Sequence, residues 1–315
     1  MMMLTLALTG TLLGCKPPPP APEGLDASTS YMVENFYESD PLFQAGVQGF
    51  MAWYNAEGYL LVGQGADGSN TDSYTVGELS DVNVANLPLS PELLLNGEDN
   101  ITGPRDMSRA KGVVSLAEMD CDWIETEAYL IRPDQDAILS GDWDAYDREY
   151  LTDKDAFQGA SANAEFDPIE AALDPFADGF DASLYEKSIL FTKNQADPSK
   201  VLFADLESYE LRLDLRHGIY DIDGEDIGAM AILTFNTDAV WDEDGKNGLI
   251  QAFSIELNVQ QENEKTLRML AVWAEPYGVG LEPDDPAVLS YAVNKSLGAS
   301  ESLSKICSGE EEIGR

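Results

Sequence analysis

Between residues 206 and 275 the chain repeats one pattern, and that pattern constrains the fold more than any other feature. Tyr209, Leu211, Leu213 and Leu215 alternate with Glu210, Arg212, Asp214 and Arg216. Phe253, Ile255, Leu257 and Val259 alternate with Ser254, Glu256, Asn258 and Gln260, and Leu267, Met269, Ala271 and Trp273 form a further stripe. A period of two is the repeat of a β-strand, whose successive side chains face opposite sides, so polar alternate positions predict one wet face. Ile227 to Phe235 is apolar on both faces and suits a central strand. The connections hold Asp223-Gly224, Asp244-Gly245 and the polar cluster Gln260 to Lys265. Asp-Gly between alternating runs marks a hairpin, because both residues tolerate the positive φ of a tight turn. The segment therefore predicts a four-stranded antiparallel meander with strands of about ten residues.

A sheet with one apolar face needs a cover. Asp40-Pro41 predicts a helix start, followed by Phe43, Val47, Phe50, Met51 and Tyr54 on one face and closed by Gly58. Asp285-Pro286 predicts a last helix carrying Val288, Leu289, Ala292 and Val293, with Gly298 ending it and Ser300 capping a short helix that delivers Cys307. Tyr59–Val62 and Trp123–Ile131 are expected as short strands. Residues 63–110 are loop-rich, and 134–185, broken by Pro168, Pro175 and Gly179, are expected as short helical pieces. The fold class expected is α+β: an antiparallel meander over about 206–275, covered by helices from the N-terminal half and a C-terminal helix. Residues 31–315 are expected to form one ectodomain, with an irregular helical part (31–200) and a sheet part (201–315).

The N-terminus carries a different signal. Leu4 to Leu13 is an apolar run of roughly ten residues, the length of a signal-peptide core and short of the about 20 needed to span a bilayer. It ends in Leu12-Leu13-Gly14-Cys15, and Lys16-Pro17-Pro18-Pro19-Pro20-Ala21-Pro22 follows. These residues resemble the lipobox of bacterial lipoproteins, although Met1-Met2-Met3 supplies no basic residue before the apolar run. The resemblance implies a signal peptide over 1–14, a lipid on Cys15, and a proline-rich extended tether over 15–30. It also implies a protein held in the cell envelope through its anchor, at the outer membrane since Lys16 follows the cysteine. With Cys15 assigned to lipid, Cys121 and Cys307 remain. In an oxidising compartment such a pair is expected as a disulfide, the alternative being two separate thiols.

Charge narrows the function. The 315 residues hold 58 acidic and 18 basic side chains, a formal charge of −40, which excludes nucleic-acid binding through phosphate neutralisation. No Walker-type phosphate loop, zinc-protease motif or serine nucleophile elbow is present in the sequence. The lone His217, before Gly218, reads as a surface histidine at a hairpin. Asp142, Asp144 and Asp147 with Trp143 and Tyr146 read as an acidic helix start, or less readily as a sugar-binding surface.

Two loops share the pattern D-x-D-G-x-[D/N]. Asp221, Asp223 and Asp226 form one set, and Asp242, Asp244 and Asn247 the other. They resemble acidic calcium loops in part, so calcium is the one cofactor considered, though the same residues suit turns on backbone grounds alone. No catalytic residues are assigned. The expectation is a lipid-anchored envelope protein with a binding or structural role toward a protein or glycan partner. The alternatives are a carboxylate-dependent hydrolase acting on polysaccharide or cell-wall glycan, and a carrier whose long strands curve around an acyl chain.

Overall fold

The computed structural model describes residues 20–65, 74–85, 87, 89–96, 101–139, 142–151, 188–198, 205–278, 280 and 282–313. The expected signal peptide over 1–14, Cys15, the first residues of the expected tether and residues 152–185 of the expected helical stretch lie outside these. The predicted meander is present as β7 (Tyr209–Ile222), β8 (Glu225–Asn236), β10 (Gly248–Gln261) and β11 (Lys265–Tyr277), with the two-residue β9 (Val240–Trp241) paired to the start of β10. The β7–β8 turn is Asp223-Gly224 alone, both at positive φ (55° and 89°), the tight hairpin that the dipeptide predicts. The strands run to 12–14 residues and are antiparallel throughout.

The sheet does not stop at four. β6 (Ser188–Pro198) and β5 (Trp143–Leu151) extend it beyond β7. On the other side β4 (Lys111–Met119) and β1 (Thr75–Val76) extend it beyond β11, giving a nine-stranded sheet in the order β1-β4-β11-β10-β8-β7-β6-β5, with β9 off the path. The α+β class stands, and strands from both parts of the expected ectodomain share this one sheet. A separate ribbon pairs β2 (Glu92–Asn96) with β3 (Ile101–Pro104).

Both faces are covered. On the first face Phe253, Ile255, Leu257, Val259, Leu267, Met269 and Trp273 pack beneath Phe36, Phe43, Val47 and Phe50 of the α1 (Leu25–Glu34) and α2 (Asp40–Ala56) layer. Helix α2 begins at the predicted Asp40-Pro41. Arg216 fastens the layer: its guanidinium donates to the Asn35, Phe36 and Glu38 carbonyls, pairs with Asp40 at 2.9 Å and lies over the Phe43 ring. The second face is covered by α3 (Trp123–Ile131), α4 (Gln135–Ile138) and α5 (Pro286–Cys307). Helix α3 lies so close that its Trp123 ring occupies the space where a side chain at Gly228 would stand. Among the described residues no helix is long and apolar enough to cross a membrane.

Several expectations are corrected. Trp123–Ile131 is a helix, not a strand: the Asp122 side chain accepts from the Ile124 N–H at 2.8 Å, and Thr126, Glu127, Leu130 and Ile131 form its buried face. Polar residues on that face hide the helical period in the sequence. Tyr59–Val62 is chiefly one 3-10 turn, Gly58–Leu61. The Asp142–Asp147 segment is strand β5 rather than a helix start. Helix α5 runs unbroken to Cys307, because Gly298 lacks the positive φ of a helix terminator and Val293, Ser296, Ala299, Ser300, Leu303 and Ile306 carry one buried face through it. The tether does not reach residue 30. Helix α1 starts at Leu25 and buries Ser28 and Thr29, and a side chain at Gly49 of α2 would strike the Pro22 carbonyl.

The predicted wet face is also wrong. Asp214 and Arg216 of β7 are 0% and 3% exposed beneath α1 and α2, and Glu256 and Asn258 of β10 are buried on the face toward α5. Alternation marks two unlike faces, and here each unlike face has its own cover.

Candidate ligand cavity

Three helices on a long, twisted sheet do not fill the second face completely. Between α5, the α3–α4 corner and strands β5 to β11 lies a half-open cavity of about 340 Å³ with largely apolar walls. Leu211, Leu213, Ile232, Leu270 and Val272 form its floor, and Val288, Tyr291, Ala292 and Ala299 of α5 its roof. Leu211 and Leu213 belong to the alternating stripe of β7, whereas Leu270 and Val272 stand between the stripe residues of β11, so odd positions of β7 and even positions of β8 and β11 share this face. The size lies within the usual range for small-molecule sites.

The polar groups in this wall are few and organised. Glu256 and Arg268 form a two-pronged pair, Nε to Oε1 at 2.8 Å and Nη2 to Oε2 at 2.7 Å. Asn258 donates to the same carboxylate at 2.8 Å, and Arg268 Nη1 donates to the Ser296 carbonyl and the Ser300 hydroxyl of α5. Burial works against the charge on Arg268, but Glu256 beside it holds the guanidinium above its usual range, so the guanidinium stays charged. In the register Arg268 stands opposite Asn258, making Glu256–Arg268 a diagonal cross-strand pair. Lys295 of α5 and Asp142 form a second, partly exposed pair at 2.7 Å.

At the far edge Arg148 of β5 is buried. Its Nη1 donates to the Leu130 and Ile131 carbonyls at 2.8 Å, so the guanidinium caps the negative end of α3. Its Nε donates to Asn194, directly across the ladder, and its Nη2 to the Tyr146 hydroxyl at 3.1 Å. Tyr146 and Tyr209 stand on either side of Ala196, a small buried residue in register with both. Burial raises the pKa of both phenols, so they stay protonated and remain hydrogen-bond donors.

The residues singled out in the sequence fall elsewhere or take other roles. His217 is not at a surface hairpin; it is buried in the middle of β7, with Nδ1 against Glu127 of α3. Asp142 reaches the cavity wall, whereas Asp144 and Asp147 are exposed on β5. Asp221, Asp223 and Asp226 lie at the β7–β8 turn and Asp242, Asp244 and Asn247 in the β9–β10 turn, at opposite ends of β8. In the first turn Asp221 accepts from the Gly224 N–H. In the second, Asp242 accepts from the Lys246 N–H and the Asn247 amide, and Asp244 pairs with Lys246. Among the described residues the three acidic, Cys or His groups that converge are Cys121, Glu125 and Cys307, two of which form the expected disulfide, with Cα atoms 5.2 Å apart.

Sequence reasoning missed Arg148 and Arg268, and it named Tyr146 only as part of an acidic aromatic cluster. The diagonal complement of Glu256 and Arg268 across the 261–265 turn was the one available signal. The two carboxylates in the wall, Asp142 and Glu256, are each held by a cation. The acid that burial raises most clearly, Asp214 at about 6, lies on the opposite face under the Tyr37 hydroxyl. No protein-family model matches the chain, and no curated protein matches it.

Proposed function

We propose that this is a binding protein whose ligand is an elongated apolar molecule of the acyl-chain type, held between the sheet and α5. The observation that carries the reading is the cavity of about 340 Å³, with walls made largely of Leu, Ile, Val, Ala and aromatic side chains. Apolar walls of a half-open cavity face water at a cost, and an apolar occupant removes that surface from water. Its volume lies at the small end of the range for small-molecule sites, which suits a chain of medium rather than long length. The N-terminal resemblance adds a location to this reading: lipid on Cys15 tethers the binding domain to the cell envelope, at the outer membrane.

The test uses a neutral naphthylamine dye that fluoresces in apolar surroundings. Saturable binding at one site per chain is expected. Val272→Trp or Ala274→Phe, each projecting from β11 into the cavity, should weaken it at least tenfold while the far-ultraviolet circular dichroism stays native. Two variants guard against one failing to fold. Undiminished dye binding to a natively folded cavity-filling variant would overturn the reading.

A further inference from the structure

The cavity has a polarity that its apolar walls alone do not explain. Its charged lining comprises three cations, Arg148, Arg268 and Lys295, and two anions, Asp142 and Glu256. Arg268 is matched by Glu256 and Lys295 by Asp142, whereas Arg148 faces carbonyls, an amide and a phenol but no carboxylate among the described residues. In a chain of net charge −40, the inner wall of this cavity carries one surplus positive charge among its described residues. A buried cation is costly unless it is paired or well hydrogen-bonded, and the α3 carboxyl end offsets only part of that cost.

The donor count points the same way. A guanidinium has five N–H groups, and four acceptors take up four of Arg148's: Asn194 Oδ1, the Leu130 and Ile131 carbonyls, and the Tyr146 oxygen. One Nη2 hydrogen remains. The Tyr146 oxygen accepts from Arg148, which leaves its own proton to donate, and Tyr209 brings a second phenol to the same corner across Ala196. Arg148 bonded to Tyr146, and Tyr209 in register with Tyr146 across Ala196, thus line one end of an apolar cavity where the described residues place no unpaired acidic group.

We propose that Arg148, with the Tyr146 and Tyr209 hydroxyls, is the head-group site for the carboxylate of a medium-chain monocarboxylic acid whose chain lies in the cavity. The assignment rests on the apolar-ligand reading above and names its ligand class. A carboxylate is planar, carries one negative charge and accepts from several donors, which matches a surplus of one cation and the hydrogens left over. A phosphate monoester brings more charge than the site balances, and an alcohol or alkylammonium leaves the cation unpaired.

The experiment is displacement of the neutral dye from the full chain by twelve-carbon ligands that differ only in head group. Dodecanoate should displace it at least tenfold more effectively than dodecanol, dodecyltrimethylammonium or dodecyl phosphate. Tyr146→Phe and Tyr209→Phe, which leave the Arg148 contacts to α3 in place, should each weaken dodecanoate threefold to tenfold and leave dodecanol unchanged. These two variants are preferred because removing Arg148 uncaps α3 and endangers folding. If the dye binds but dodecanoate and dodecanol compete equally, or dodecyl phosphate competes best, the head-group assignment is overturned while the cavity reading survives. If the dye does not bind at all, the reading beneath it fails.

Discussion

Asp214 and Arg216 occupy alternate positions on β7, where a period-two reading puts solvent, and both are buried under the α1–α2 layer. Arg216 is well provided for by carbonyls and Asp40, but Asp214 relies on the Tyr37 hydroxyl at 2.7 Å and on Arg212 at 3.6 Å. Burial therefore pushes its carboxyl up to about 6, with Arg212 and Tyr37 pulling the other way. The folded chain then holds this proton more tightly than the unfolded chain, whose carboxyl titrates near 3.8. The contribution is fully present below the unfolded value and is lost as pH rises through the folded one. Two pKa units correspond to about 3 kcal/mol. Asp214→Asn keeps an acceptor for Tyr37 and should flatten the dependence of the urea midpoint on pH between about 4 and 6. Parallel slopes for the variant and wild type would show that the dependence arises elsewhere. Buried charges of this kind were the least legible residues, since Asp214, Arg216, Glu256 and Arg268 all look in sequence like ordinary exposed positions of strands.

Helix α5 is the element on which the cavity depends. It roofs the space with one face, supplies the Ser296 carbonyl and Ser300 hydroxyl to Arg268, and ends at Cys307, bonded to Cys121 at the close of β4. The bridge spans 186 residues, and on the chain-entropy account a loop of that length stabilises by up to about 5 kcal/mol. Cys307→Ser should therefore lower the unfolding free energy by a few kcal/mol, a reducing agent should do the same to the wild type, and dye affinity should fall as the roof loosens. Identical denaturation curves in oxidising and reducing buffer would sink this account. The element ends that carry strong local chemistry were readable: Asp40-Pro41 for α2, Asp285-Pro286 for α5 and Asp223-Gly224 for the tight turn. Helix α3 was not, because nine residues with a Thr and a Glu on the buried face show no clean period.

For the molecule as a whole, the start of α1 at Leu25 and the packing of Pro22 shorten the link between Cys15 and the folded domain to about seven residues. A proline-rich segment of that length reaches roughly 20 Å, so the proposed anchor holds the domain close to the membrane surface. Cys15→Ser should move the protein from the membrane to the soluble fraction of lysed cells, and unchanged partitioning would remove the anchor from the proposal. The charge of −40 belongs to the chain as a whole, where self-repulsion opposes clustering of copies held by the proposed anchor, and the surplus cation belongs to the described wall of the cavity. The sequence by itself determined the meander, the starts of two main helices and the pair of cysteines available for a bridge, because each depends on residues close together in the chain. Only the tertiary structure decided that the second face is covered, that a cavity remains there, and that Arg148 meets the end of α3 while Arg268 meets α5. Those outcomes depend on how rigid helices sit over a twisted sheet, a matter of shape between distant segments that alternation along one strand does not encode.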